Sequence, residues 1–136
     1  VTPSFTDMEK GSDLFKMVTV GLADSLDCFT KAAAAKSAAQ KEPFIASDFI
    51  GRDDYIYITS IPWISFTHIS HTISLNKNDS VPRLSWGKYY ERDGRILLPY
   101  SVQVHHAFAD GIHIARFKDA LERRLRGEQP DKGGSL

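Results

Sequence analysis

Short runs of β-branched and aromatic residues, separated by turn residues, make up most of the chain after Pro43 and constrain its fold most. These runs occupy residues 55–59, 64–75, 83–90 and 95–105. Composition and length of this kind are typical of β-strands. Residues 76–80 and 91–94 are rich in turn formers, and Gly94 suits a left-handed position in a hairpin loop. The chain after Pro43 therefore predicts a sheet.

A different pattern precedes Pro43, where apolar residues recur every three or four positions between residues 12 and 39. The recurring residues are Leu14, Val18, Leu22, Leu26 and Phe29. This spacing predicts an amphipathic helix with Ser12 as its N-cap. The single cysteine, Cys28, lies within it and is predicted to be a packing residue rather than a nucleophile.

A second helix is predicted from Gly111 to about residue 124, with Asp110 at the N-cap position. Its apolar residues, Ile114, Phe117, Leu121 and Leu125, share one helical face. The polar, glycine-rich residues 127–136 are predicted to form a disordered tail. Residues 1–126 are predicted to form one domain, because a chain of 136 residues with 42% apolar composition can bury one core.

Charge and cysteine content exclude several classes of function. Seventeen basic and seventeen acidic residues leave no formal net charge, which argues against nucleic acid or an anionic membrane as partner. A single cysteine excludes an internal disulfide and a thiolate zinc site, and no metal is predicted. The chain shows neither an apolar run long enough to cross a bilayer nor a signal-peptide pattern. These features predict a cytoplasmic location.

Two adjacent histidines, followed by three residues and Asp-Gly, stand at the junction of a predicted strand and a predicted helix. They are His105 and His106 in the run His-His-Ala-Phe-Ala-Asp-Gly. A neutral imidazole can take a proton from a hydroxyl or thiol as that group attacks a thioester. On an extended strand His106 shares a face with Val102 and Val104, whereas His105 points away. His106 is therefore the candidate general base, and His105 is predicted to be a packed or surface residue.

Two further motifs accompany the histidine pair: Ile-Pro-Trp-Ile-Ser-Phe-Thr at residues 61–67 and Lys-Tyr at residues 88–89. Together with residues 99–113, they resemble the proline-tryptophan strand, the lysine-aromatic pair and the histidine signature of chloramphenicol acetyltransferases. The spacing from Trp63 to His106 matches that family without a gap, and a weaker likeness extends back to Phe5. By this resemblance, the chain is expected to correspond to the C-terminal part of such an enzyme.

The resemblance implies an α/β fold, specifically an α+β two-layer sandwich in which helices cover one side of a mixed sheet. It also implies a homotrimer whose active sites lie between subunits, with the base from one subunit and much of the acceptor pocket from its neighbour. The implied reaction is O-acetyl transfer from acetyl-CoA to chloramphenicol or a related small hydroxyl compound, and so a role in antibiotic resistance.

The resemblance further implies a role for each matching residue. The catalytic positions are His106 as the base, Thr59 as hydrogen-bond donor to the oxyanion, and Asp110 in a structural salt bridge. The positions implied for acetyl-CoA binding are Trp63, Ser85, Lys88 and Tyr89, and Ser85 matches a threonine that holds an ordered water. The acceptor positions are Ile69 and His71, the second of which is polar where the family is apolar.

Other interpretations remain open. A truncated, inactive relative could act only as an oligomeric or partner-binding module. The His-His-x-x-x-Asp-Gly pattern also resembles dihydrolipoamide acyltransferase catalytic domains, which use a thiol acceptor, although the proline-tryptophan motif favours the chloramphenicol branch. His106, Asp110 and His113 could together bind a divalent metal, and Asp110 could simply cap the last helix.

Overall fold

The computed structural model describes residues 1–8, 11, 13–41, 52, 54–71 and 79–128 of the chain. Its strands are β1 (Thr2–Met8), β2 (Phe15–Thr19), β3 (Tyr55–Ile61), β4 (Arg83–Gly87), β5 (Tyr90–Arg92), β6 (Arg95–Leu97) and β7 (Tyr100–Gln103). Its helices are α1 (Leu26–Ala39) and α2 (Gly111–Leu125). The chain divides into two compact units, Val1–Val104 and His105–Leu136, so that α2 belongs to the second unit and the other elements to the first.

Five strands of the first unit form one mixed sheet in the order β2-β1-β3-β4-β7. β1 pairs antiparallel with β2 and parallel with β3, while β4 pairs parallel with β3 and antiparallel with β7. β5 and β6 form a separate antiparallel hairpin, whose turn holds Asp93 at φ 52 and Gly94 at φ 70. The mixed sheet with helices is confirmed, and so is the hairpin predicted from the turn residues.

The two faces of the sheet differ, because successive side chains along a strand point to opposite faces. Val18 and Lys16 of β2 share the face that α1 contacts, and Val18 is fully buried there. The Lys16 ammonium donates to the Ser37 carbonyl, 2.5 Å away near the end of α1. Side chains at the alternate positions, such as Thr59 on β3, point to the other face, which α1 leaves open.

The predicted helix over residues 12–39 is wrong in its first half. Val18 lies in β2, and α1 begins only at Leu26. The β-branched run Val-Thr-Val at residues 18–20 suits an extended strand, and pairing with β1 together with the burial of Val18 outweighs the helical spacing. The helix is capped by Ser25, whose hydroxyl accepts from the N–H of Cys28 at 3.2 Å. Cys28 is exposed, so its predicted packing role is wrong. Ser12 lies outside the described residues.

The predicted strands are confirmed in part. The first, 55–59, is a strand and continues to Ile61. The described part of the second, 64–71, contains no strand, and its remainder lies outside the described residues, as do 76–78 of the predicted turn. The third ends at Gly87, and the fourth is interrupted at Pro99, whose nitrogen cannot donate a ladder hydrogen bond. Because β7 ends at Gln103, His105 and His106 do not alternate on a strand as predicted.

The second unit contains the predicted final helix, α2, which begins at Gly111 with Asp110 as its N-cap. Its C-terminal end is closed by the N–H groups of Gly127 and Glu128, which donate to carbonyls of the last turn at 3.0 Å each. The rest of the predicted tail, 129–136, lies outside the described residues. Neither described helix combines the length and hydropathy needed to span a membrane.

Candidate active site

An open cleft of about 1080 Å³ lies over one face of the sheet in the first unit. Most of the strand residues that line it occupy alternate positions, as expected for side chains sharing one face. These residues are Thr6, Met8, Phe15, Met17, Tyr57, Thr59, Ile61 and Arg83. Residues between β3 and β4 extend the lining, among them Trp63, Ile69 and His71. Four predicted site residues therefore meet at this cleft: Thr59, Trp63, Ile69 and His71.

Thr59 and Ser85 stand opposite each other on the parallel strands β3 and β4. Ser85 is fully buried, and its hydroxyl lies 2.7 Å from Nε2 of His71. A buried hydroxyl left without a partner costs about 1–3 kcal/mol, so this contact anchors the imidazole against the sheet. Thr59 and His71 therefore line the cleft, and the buried Ser85 supports His71 without lining it.

The turn after β3 positions Trp63. The Lys88 N–H donates to the Ile64 carbonyl at 2.7 Å and ties this turn to the residue that follows β4. Because β3 and β4 are parallel, their carboxyl ends lie side by side, and Trp63, Lys88 and Tyr89 follow those ends. All three side chains are exposed. Ser85, the fourth residue predicted to bind acetyl-CoA, is instead buried in the middle of β4.

Gly87, the last residue of β4, leaves no room for a side chain. A Cβ there would lie 2.6 Å from the Ile64 carbonyl oxygen and 2.9 Å from Cδ1 of Phe66. We expect Gly87→Ala to lower the free energy of unfolding by about 1–3 kcal/mol, because the turn that carries Trp63 must shift. Denaturant unfolding followed by circular dichroism measures the change. Gly21→Ala, whose Cβ would meet no atom within 4 Å, is the control, and equal loss of stability in both variants would contradict this packing.

Several residues of the cleft were not predicted as site residues. The Arg83 guanidinium lies 2.6 Å from the Asp79 carboxylate and 5.9 Å from the Tyr57 ring centroid, which fixes it along one wall. The wall from β2 was not predicted because residues 12–39 were interpreted as one helix, and no strand was predicted over residues 2–8, which form β1. The β-branched residues at 18–20 were the signal that could have revealed β2 and, with it, Phe15 and Met17.

The second unit holds the predicted base and its aspartate. Nδ1 of His106 lies 3.2 Å from Oδ1 of Asp110, and their side chains are 90% and 66% exposed. The backbone N–H of Asp110 donates to Nδ1 of His113 at 3.0 Å, which supports its position as the N-cap of α2. The ring of His105 contacts that of Phe108, with centroids 5.6 Å apart.

The structure thus arranges the predicted site residues as two sets. One set surrounds or adjoins the cleft in the first unit, and the other is the pair His106 and Asp110 in the second. Within the described ranges, no three histidine, cysteine, aspartate or glutamate side chains are grouped to hold a metal ion.

Two displaced pKa values belong to groups outside the cleft lining. Burial raises the pKa of Tyr100, whose ring stacks on Trp86 at a centroid distance of 6.4 Å. The hydrogen bond from Arg52 lowers the pKa of the exposed Asp54 carboxyl, with Nη2 and Oδ2 2.5 Å apart. These two shifts reflect local packing and pairing.

A family model for chloramphenicol acetyltransferase matches residues 1–122. The chain belongs to the chloramphenicol acetyltransferase family. A chloramphenicol acetyltransferase of Clostridium perfringens is 48% identical over 62 residues, which make up 46% of this chain and 28% of that protein. Chloramphenicol acetyltransferase 3 of Escherichia coli is 26% identical over 123 residues, covering 90% of this chain and 58% of that protein. The family indicated by the three motifs is confirmed.

Solved structures share the fold. A chloramphenicol acetyltransferase superposes with a TM-score of 0.77 at 23% identity, over 90% of this chain and 60% of that one. The dihydrolipoamide acetyltransferase of Azotobacter vinelandii superposes with a TM-score of 0.61 at 20% identity, over 92% of this chain and 53% of that one. These likenesses confirm the α+β fold with a mixed sheet. The chain spans between 28% and 60% of the length of the chloramphenicol acetyltransferases compared.

Proposed function

We propose that the chain is an acetyl-CoA-dependent O-acetyltransferase that acetylates chloramphenicol or a related small hydroxyl compound. The observation that carries this proposal is the cleft, because it gathers Thr59, Trp63, Ile69 and His71 around one space in a member of this family. A sheet-lined cleft with mixed polar and apolar walls suits a small organic acceptor.

His106 is the proposed general base. An imidazole nitrogen can accept the proton of a hydroxyl as the oxygen attacks the acetyl carbonyl. The Asp110 carboxylate, 3.2 Å from Nδ1, favours the tautomer that carries its proton on Nδ1, which leaves Nε2 as the basic nitrogen. Asp110 is therefore proposed as a structural residue that positions His106 and begins α2.

Thr59 is the proposed donor to the negative charge that develops on the acetyl carbonyl oxygen. Its side chain lines the cleft from β3, a rigid central strand of the sheet. A donor held in place before the reaction stabilises the oxyanion without reorganisation, and the Thr59 hydroxyl can serve as that donor. The hydroxyl of Ser85, opposite Thr59, is proposed to help order a water at the same place.

Acetyl-CoA, when bound, supplies the acetyl group as an activated thioester. Trp63, Lys88 and Tyr89 are proposed to bind it, because an exposed indole and phenol offer stacking surfaces and an exposed ammonium attracts phosphate. Their position after the carboxyl ends of two parallel strands is also a common place for ligands in sheets of this kind. Ile69 and His71 are proposed to contact the acceptor from the cleft wall.

The proposed assembly is a cytoplasmic homotrimer, in which residues 1–126 of each subunit form one domain. The cytoplasm is proposed because it contains acetyl-CoA and keeps a lone cysteine such as Cys28 reduced. In this trimer, His106 of one subunit and the cleft of its neighbour act on the same acceptor.

An assay of thiol release from acetyl-CoA tests the proposed function. Folded protein is incubated with acetyl-CoA and either chloramphenicol or a panel of small alcohols, and free CoA is detected with a thiol reagent. We expect release that depends on the acceptor. A folded protein that releases no thiol with any alcohol would contradict the proposed activity. Because acetylation of a thiol leaves the total thiol unchanged, dihydrolipoamide is tested by chromatographic separation of CoA from acetyl-CoA, and CoA formed with dihydrolipoamide but with no alcohol would favour a thiol acceptor.

Complementation between subunits tests the shared site. Subunits with His106→Ala and subunits with Thr59→Val are expressed separately and together, and the thiol-releasing activity of each preparation is measured. If each site takes its base and its cleft from different subunits, about one site in four of a random mixture is intact, and activity returns. Activity in the mixture no higher than in the separate variants would contradict a site shared in this way.

A further inference from the structure

A hairpin of two short strands projects from the carboxyl end of β4. Its strands, β5 and β6, form a two-stranded sheet of their own. The base of the hairpin is joined to the main sheet, because the Gly87 N–H donates to the Pro99 carbonyl at 3.1 Å. A strand rises about 3.3 Å per residue, so the turn at Asp93 and Gly94 lies up to about 20 Å beyond Gly87. The hairpin thus extends the edge of the sheet that carries Lys88.

Two arginines stand directly opposite each other next to this turn. Arg92 is the last residue of β5 and Arg95 the first of β6, and the strand register pairs them. Like charges directly opposite each other on neighbouring strands destabilise the pairing. The Asp93 carboxylate, 3.9 Å from Nε of Arg92, offsets little of this repulsion, because its side chain is 91% exposed. Within the described part of the chain, Arg95 forms no ion pair. An anionic ligand would therefore stabilise the end of the hairpin.

The charges around the two arginines favour a compact anion. Two opposed guanidinium groups can hydrogen-bond one phosphate together, and the planar fork of N–H groups in arginine suits phosphate oxygens. Glu91 and Asp93 are exposed beside the pair, so a long polyanion lying across the hairpin would meet their carboxylates. A single phosphate or pyrophosphate group can contact both arginines and avoid that repulsion.

The hairpin begins at residues that are proposed to bind acetyl-CoA. Lys88 and Tyr89 immediately precede β5, and both are exposed near the end of β4. Acetyl-CoA carries its pyrophosphate and its 3′-phosphate at the far end of the pantetheine arm, remote from the thioester. A thioester that enters the cleft leaves these phosphates outside it, and the hairpin projects from the edge of the sheet where Lys88 and Tyr89 lie.

We propose that Arg92 and Arg95 form a phosphate-binding site for the nucleotide end of acetyl-CoA. The two guanidinium groups bind a phosphate group of the nucleotide together and so make the protein favour a thioester donor that carries phosphate. This proposal rests on the proposed acetyltransferase function, and it adds two binding residues and a determinant of donor recognition. Because the phosphates take no part in acetyl transfer itself, the site contributes to binding and not to the chemical step.

The double variant Arg92→Thr/Arg95→Thr tests the proposal. Threonine favours strands, and two threonines directly opposite each other stabilise strand pairing, so the free energy of unfolding should equal or exceed that of the wild type. The KM for acetyl-CoA should rise about tenfold with kcat unchanged, the contribution of two exposed ion pairs. Arg92→Lys/Arg95→Lys should retain part of the affinity. S-acetylpantetheine, which has the thioester and the arm but no phosphate, should be used equally well by wild type and the threonine variant.

A matched control separates this site from the overall charge of the protein. Lys31→Gln/Lys36→Gln removes the same number of positive charges from exposed positions of α1, which contacts β2 at the other edge of the sheet. Its KM for acetyl-CoA should stay close to the wild-type value, because physiological salt screens exposed charges that are more than about 8 Å apart.

Calorimetric titration with CoA distinguishes failure of this site from failure of the proposed function. Absence of thiol release with every alcohol overturns the function, and the dissociation constant of CoA, expected to be about tenfold higher in the threonine variant, then decides the site. A wild type that does not bind CoA would overturn both.

Three other results would overturn the site alone. The first is equal affinity of wild type and the threonine variant for CoA. The second is an equal loss of activity with S-acetylpantetheine, which would indicate a structural role for the arginines. The third is weaker binding of inorganic phosphate by the variant with unchanged binding of CoA, which would assign the two arginines to a free anion.

Discussion

Replacing His106 by alanine is expected to reduce acetyl transfer by about a hundred- to ten-thousand-fold, the usual contribution of a general base. The loss should appear in kcat, because the imidazole acts on the acceptor proton in the transition state rather than on ground-state binding. The protein should stay folded, since the His106 side chain is 90% exposed and packs against little. Steady-state thiol release at saturating acetyl-CoA measures the effect.

His105→Ala is the matched control for this experiment. His105 is adjacent in sequence, and its ring contacts Phe108, so its replacement removes an imidazole and a ring contact but no proposed base. We expect its kcat to remain within about tenfold of wild type, because the half-buried His105 imidazole contacts Phe108 and accepts from the Ala107 N–H at 3.2 Å but has no proposed part in proton transfer. Retention of most of the rate in His106→Ala, or an equal loss in both variants, would remove His106 from the mechanism.

Thr59→Val is expected to lower kcat by about a hundred- to a thousand-fold, the typical cost of losing one oxyanion donor. Valine keeps the shape and the β-branching of threonine, so β3 and its pairing with β4 should persist. The change removes the hydroxyl from the cleft wall and little else. Thiol release at saturating acceptor and acetyl-CoA measures kcat, and circular dichroism checks the fold.

Thr59→Ser provides the control, because serine retains a hydroxyl on the same strand. We expect its kcat to stay within about tenfold of wild type, since the donor to the oxyanion is preserved. If Thr59→Val matched Thr59→Ser in rate, the hydroxyl would have no part in stabilising the transition state, and Thr59 would be only a wall of the cleft.

The sequence predicted the family, the second helix and the hairpin because each depends on local signals. Asp110 before an amphipathic run indicates a helix start, and Gly94 after Asp93 indicates a left-handed turn; both are properties of adjacent residues. The three motifs could likewise be matched to those of chloramphenicol acetyltransferases, because the resemblance depends only on residue identity and spacing.

The cleft could not be predicted in full because it depends on contacts between distant residues. Phe15 and Met17 line it only because β2 pairs with β1, and that pairing overrode a spacing that suited a helix. The contact between His71 and Ser85 joins a residue of the connection between β3 and β4 to a residue of β4, 14 positions away, and sequence spacing alone does not predict it. Local propensity therefore predicted which helices and strands form more reliably than it predicted where they begin and end or which strands pair.

Identification of the reaction product tests the central claim most directly. The wild-type protein is incubated with acetyl-CoA carrying a ¹³C-labelled acetyl group and with chloramphenicol or another small alcohol, and the products are analysed by mass spectrometry. We predict a labelled acetyl ester of the alcohol that forms with the wild-type protein and is nearly absent with His106→Ala. A folded wild-type protein that forms no labelled ester, or one that forms it equally well without His106, would contradict the account.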